Sequence, residues 1–173
     1  MSRLFPTLLG ESFNALPERL RALHTAPAGT LFRGRARVER GVHPFGRLLA
    51  LAAGLPPAGE VEVTVRIDVD DHGERWHRRF GGHRMSSRLW PAKTLLRERL
   101  GLATFDFELT ADAGGLDWTV VGVRAIGVPL PTRWFAGVCA RELLDEGRYA
   151  FDVGAKLPLI GLIVRYCGWL DVD

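Results

Sequence analysis

The sequence predicts a mostly β (α+β) fold: a strongly curved antiparallel sheet or barrel of about eight to nine strands, with an N-terminal helix and one or two short helices. Three observations predict it. Val61, Val63, Val65, Ile67 and Val69 alternate with Glu62, Thr64, Arg66 and Asp68, the two-residue period of a strand with one buried side. Turn formers recur at short spacing, as in Asp70-Asp71-His72-Gly73 and Gly81-Gly82. Strand patterns do not alternate with long helical ones, which argues against a parallel sheet. Closing the sheet is attractive because it removes exposed edges and, at about eight strands, leaves an interior that can hold a small ligand.

The elements follow in chain order. Phe13, Leu16, Leu20 and Leu23 recur at three- and four-residue spacing, predicting a helix over 11–24 in which Pro17 imposes a kink or a late start. Over 30–40, Phe32, Gly34, Ala36 and Val38 face one way and Arg33, Arg35, Arg37 and Glu39 the other, a half-buried strand with a charged outer side. A short helix spans 44–54 and is stopped by Gly54 and Pro56-Pro57. Its leucines, and the run Leu48 to Leu55 as a whole, read as core, with contact to an anionic membrane surface as the other option. Strands are expected at 60–69, 74–80, 83–89, 104–110, 117–125, 137–144, 148–157 and 160–171. Leu95 to Leu100 reads as a short helix or loop, and 129–135 as a connector. In the last strand Ile160 to Val164 is apolar on both parities, so it should be covered on both sides, by the N-terminal helix and by the barrel interior.

At 173 residues the chain has room for one domain, 1–173, with one sizeable core. Cys139 and Cys167 lack CxxC or zinc-ligand spacing, and the N-terminus has no signal-peptide core. No apolar run reaches the 18 residues a membrane-spanning helix needs. A cytoplasmic protein with free thiols is the expectation. The pI of about 9.3 comes almost wholly from arginine, since Lys93 and Lys156 are the only lysines. The arginine clusters at 33–47 and 75–88 lack an aromatic recognition motif or a lysine-rich tail, so a solvated basic surface is preferred to a nucleic-acid site.

Three stretches carry a family resemblance: Trp76 to Gly82 (WHRRFGG), Gly127 to Pro131 (GVPLP) and Tyr149 to Leu170 (YAFDVGAKLPLIGLIVRYCGWL). Together, over nearly the whole chain from Leu4, they resemble the bacterial domain of unknown function 4166. The resemblance implies a module found alone or C-terminal to saccharopine-dehydrogenase-like domains, and hence a reductase-like protein as a possible partner. It implies no activity, cofactor or site residue.

Catalytic signatures such as GxSxG, HExxH, a Walker loop or GxGxxG are absent from the sequence, and no cofactor or metal is expected. With no Gln, one Asn and four Ser, polar recognition inside a pocket falls to Arg, His, Asp, Glu, Trp, Tyr and the backbone. Trp76, Arg78 and Phe80 share one strand side by parity, placing a guanidinium between two rings on an inward surface. Such a charge needs a partner. Either Arg78 pairs with Asp106, Glu108 or Asp152, or it anchors the carboxylate or phosphate of a ligand. His77 and His83 sit among cations, which disfavours metal binding; with His43 they remain acid–base candidates. The candidate ligand-lining set is Trp76, Arg78, Phe80, Phe105, Trp118, Arg124, Trp134, Tyr166 and Trp169, whose aromatic members can equally be core.

The function expected is binding of a hydrophobic or lipid-like small molecule in a barrel cavity. The alternatives are an enzyme acting on a hydrophobic metabolite by Arg/His/Asp acid–base chemistry, and an interaction module for a reductase partner.

Overall fold

In the computed structural model, which describes residues 3–172, every strand but one finds an antiparallel neighbour on each side. The strands are β1 (Leu31–Arg40), β2 (Gly59–Asp70), β3 (Gly73–Phe80), β4 (His83–Ala92), β5 (Leu95–Leu100), β6 (Ala103–Asp112), β7 (Gly115–Ala125), β8 (Val128–Leu130), β9 (Gly137–Asp145), β10 (Arg148–Leu157) and β11 (Gly161–Asp171). They run in the order β6-β5-β4-β3-β2-β1-β11-β10-β9-β7-β8, and β6 pairs back onto β7, so ten strands close a barrel and β8 is an addition. Along β7 the pairing changes hands: Leu116 to Thr119 pair with β9, whereas Val123 to Ala125 pair with β8. Beyond Thr119 the walls β7 and β9 therefore part.

Alternation sets which side chains fill the barrel. Val63, Val65 and Ile67 point inward from β2, with Trp76 and Phe80 from β3, and all are buried. The seam between β1 and β11 is tighter than an ordinary ladder. At Gly34 of β1 an added methyl group would overlap the Trp169 carbonyl, and at Gly168 of β11 it would overlap the Arg35 carbonyl. Both positions lie on the inward side, where the sheet coils most sharply and only glycine leaves room.

Both ends are capped. At the end where β3 begins and β9 finishes, the chain enters as α1 (Leu4–Leu9), a 3-10 turn (Gly10–Ala15) and α2 (Glu18–Thr25). The predicted single helix over 11–24 is thus corrected to separate pieces, because Pro17 has no N–H to continue the ladder and serves as the N-cap of α2. Its apolar pattern nonetheless marks the core: Phe13, Leu16, Leu20 and Leu23 are all buried. The opposite end is crossed by α3 (Pro44–Ala52).

Other expectations change as well. Leu95 to Leu100 is a strand, β5, not a helix or loop, and part of the connector, Val128 to Leu130, pairs as β8. The outer cover of β11 is α3, not the N-terminal helix: Gly46 lies against Ile160 and Ile163. Because α3 approaches through Gly46 and Ala50, its large residues Phe45, Leu48 and Leu51 are left exposed instead of joining the core.

Candidate functional site

The barrel interior holds a cavity of about 90 Å3 in its middle. Trp76, Arg78 and Phe80 from β3 form one wall, and Trp118, Tyr149 and Tyr166 from β7, β10 and β11 stand opposite. It reaches the surface beside β9, where the exposed Cys139 and Arg141 line its rim, next to the point at which β7 and β9 part. The size matters, because pockets for drug-sized ligands run to roughly 300–1,000 Å3. This one suits a small molecule or the slender end of a longer one.

The walls are aromatic and ordered by ring contacts. Phe80 meets Tyr166 edge-on with centroids 5.2 Å apart, and Trp118 packs between Phe107 and Phe5, each 5.5 Å away. The Arg78 guanidinium lies 4.8 Å from the Trp76 ring centre. It donates to the Ser87 hydroxyl at 2.7 Å and to Glu98 Oε1 at 3.4 Å from each terminal nitrogen. Three of the five N–H groups of the guanidinium are thus engaged. The partner of Arg78 is therefore Glu98, not Asp106, Glu108 or Asp152. Glu98 was hidden because its segment read as a helix or loop, and only as strand β5 does its parity turn it inward.

Below the cavity two buried carboxylates bind the N-terminal plug to the barrel. Glu142 of β9 contacts His24 of α2 (Nε2 to Oε2, 2.7 Å) and accepts from the Tyr149 hydroxyl. Burial and the neighbouring Glu142 push the Tyr149 hydroxyl well above its usual range, and burial pushes Tyr166 up to about 12. Both phenols are neutral at physiological pH. The His24 ring stacks on Phe5 at 3.8 Å between centroids. Glu74 of β3 accepts from the Trp76 indole N–H at 2.8 Å and from the Leu4 backbone N–H.

Burial raises the Glu74 carboxyl above the ordinary glutamate range, more than these hydrogen bonds lower it. A carboxyl with a raised folded-state pKa contributes its stability in full below the unfolded value, about 4.3, and loses it as pH rises through the folded value. Glu74→Gln, which cannot ionise, should accordingly be less destabilised than wild type as pH climbs from 4 toward 8. Thermal melts of the two proteins across that range are expected to diverge in favour of the variant; parallel curves would refute this.

Of the nine sequence-derived candidates, Trp76, Arg78, Phe80, Trp118 and Tyr166 line the cavity. Phe105 sits just beside it, packed on Phe107 and Phe135. Arg124 lies outside, bound to Asp106 at 2.9 Å in a cluster with Arg97 that holds the Asp106 carboxyl below its usual range. Trp134 is exposed on a 3-10 turn (Thr132–Phe135), and Trp169 faces outward under Arg148, its ring centre 4.6 Å from the guanidinium. Parity alone separates Trp169 from Tyr166, three residues away. His43 caps α3 through its own Nδ1, His77 bonds Ser86 at the surface, and His83 contacts the Gly54 carbonyl, so none of these three meets the cavity. The buried histidine is His24. Reasoning on sequence missed it, together with Glu74, Glu98, Glu142 and Tyr149.

A family model described as Domain of unknown function (DUF4166) matches residues 16–170. The chain belongs to that family. The DUF4166 match covers α2 and every strand of the barrel, including all the cavity-lining side chains named above. Among solved structures, the crystal structure of Rv2717c from M. tuberculosis is similar at 12% identity and a TM-score of 0.47, over 91% of this chain and 99% of that one. No curated protein matches. No helix among the described residues is long and apolar enough to cross a membrane.

Proposed function

We propose that the barrel binds a small apolar molecule, or the apolar end of a lipid-like one, whose polar group is a hydrogen-bond acceptor taken by Arg78. The observation that carries this reading is the Arg78 guanidinium on the wall of an aromatic cavity, with two N–H groups left after Ser87 and Glu98 are served. Trp118 on the same cavity keeps its indole N–H buried without a partner, a cost of about 1–3 kcal/mol that a bound acceptor would relieve. Glu98 shares the positive charge, so the site tolerates a carbonyl as well as a carboxylate. Tyr149 and Tyr166, held neutral by burial, add hydroxyl groups to the same wall without adding charge.

Titration with octanoate and octanol, followed by tryptophan emission, tests it. Octanoate is expected to shift the emission and to bind more tightly than octanol. The double variant Arg78→Met with Glu98→Gln avoids stranding a buried carboxylate, and should weaken octanoate about ten- to a hundredfold, the worth of a hydrogen bond to a charged group. If neither compound changes the emission and native mass spectrometry of the purified protein shows no co-purifying molecule, the reading fails.

A further inference from the structure

We propose that α3 and the strand connections around it dock the barrel onto an anionic membrane surface. The helix is inverted relative to the usual amphipathic pattern. It buries Gly46 and Ala50 and presents Phe45, Leu48 and Leu51 to solvent, with exposures of 51%, 59% and 77%. Soluble proteins leave single apolar residues exposed as a matter of course; a helix that hides its small residues and shows its large ones is different.

The patch extends past the helix. The β5–β6 turn touches the C-terminal end of α3, since Gly101 abuts Ala52 and Ala53, and the turn's Leu102 is exposed. Val42, just before the helix, is 90% exposed, and Leu159 in the β10–β11 turn is fully so. These residues come from segments far apart in sequence that the up-and-down topology gathers at one end of the barrel.

Charge at this end selects the occupant. The connections that meet here are 41–58, 81–82, 101–102, 126–136 and 158–160; they contain Arg47 and Arg133 and no aspartate or glutamate. Exposed Arg79, Arg84, Arg99 and Lys156 stand at the adjoining strand ends, against Glu39 and Glu60. Asp70, Asp71, Asp112, Asp145 and Glu146 lie at the other end. A short helix with an apolar outer side, flanked by arginines whose stems lie along apolar surface while their heads reach phosphate, matches the acyl–headgroup boundary of an acidic leaflet. The proposal does not depend on what occupies the cavity.

Co-sedimentation of the full chain with vesicles tests it. Vesicles of phosphatidylcholine and phosphatidylglycerol in equal parts should pull the protein down at low salt. Binding should fall at roughly 0.5 M salt, where screening shortens to a few ångströms, and with phosphatidylcholine alone. Leu48→Glu with Leu51→Glu should weaken it at least about tenfold. Both side chains are exposed, so an unchanged melting curve would show the fold is kept; Phe45→Ser with Leu48→Ser serves as a second variant. Three outcomes overturn the proposal: no binding to the anionic vesicles, equal binding by the glutamate variant, or a dimer that this variant dissociates while vesicles stay bare, which would assign the patch to a second copy of the chain.

Discussion

Replacing Glu142 with alanine should lower the melting temperature by roughly 4–24 °C and loosen the N-terminal plug. A buried donor left without its acceptor costs about 1–3 kcal/mol, so two cost about 2–6 kcal/mol, and a chain of this size shifts by about 2–4 °C per kcal/mol. Here two groups are stranded at once, the His24 imidazole and the Tyr149 hydroxyl. His24 Nδ1 already has no hydrogen-bond partner, so the ring cannot exchange one contact for another. Glu142→Gln keeps an acceptor and should cost clearly less. Because α2 is held to the wall at this point, amide hydrogen exchange over Leu20 to His24 should accelerate in the alanine variant more than exchange in β1 or β2. A melting shift below about 2 °C would show that packing of Phe5, Leu20 and Leu23 holds the plug without the Glu142 hydrogen bonds.

Gly34→Ala is expected to cost more than the roughly 1–3 kcal/mol usual for one extra methyl group in a packed interior. The atom it would meet is the Trp169 carbonyl oxygen, part of a hydrogen-bonded ladder that cannot swing aside as a side chain does. Denaturant unfolding should show a stability lowered by more than about 3 kcal/mol, or no folded protein at all. Gly82→Ala is the control: it has ordinary backbone angles and open space around it, so it should stay within about 0.5 kcal/mol. Equal behaviour of the two variants would mean that the seam relaxes, and that its glycines are not required for curvature.

Much of the barrel was legible because strand parity is a local property. The β2 alternation, the charged outer side of β1, and the inward set Trp76, Arg78 and Phe80 follow from a two-residue period and need no partner to be recognised. The segment LLRERL failed this test. Its inward positions are Leu96, Glu98 and Leu100, so the buried side carries a charge and the period is masked. The same mask hid the partner of Arg78. The pair of His24 and Glu142 joins residues 118 positions apart, and nothing in either neighbourhood marks them as partners. On α3 the leucines are expected in the core, but the small residues Gly46 and Ala50 let the helix lie close on β11, with Phe45, Leu48 and Leu51 outward. Periodicity locates a stripe; steric size decides which stripe touches the wall.

The seam between β1 and β11 also shapes how the chain reaches its native state. These two strands are partners in space and are the first and last strands along the chain, so closing the ring requires a loop of more than a hundred residues to meet itself. Topologies dominated by such distant pairings fold on the millisecond-to-second scale, not in microseconds. During synthesis β1 leaves the ribosome long before β11 exists, and β2 can satisfy one of its edges only. Arg33, Arg35 and Arg37 sit along that waiting strand, all exposed. Charges on an open edge repel a second copy of the same segment and so discourage sheet-to-sheet pairing between nascent chains. In the finished barrel the same arginines stand on the outer side, with Arg37 paired at 3.4 Å to its exposed neighbour Glu39, so their clearest use falls in the interval before the ring shuts.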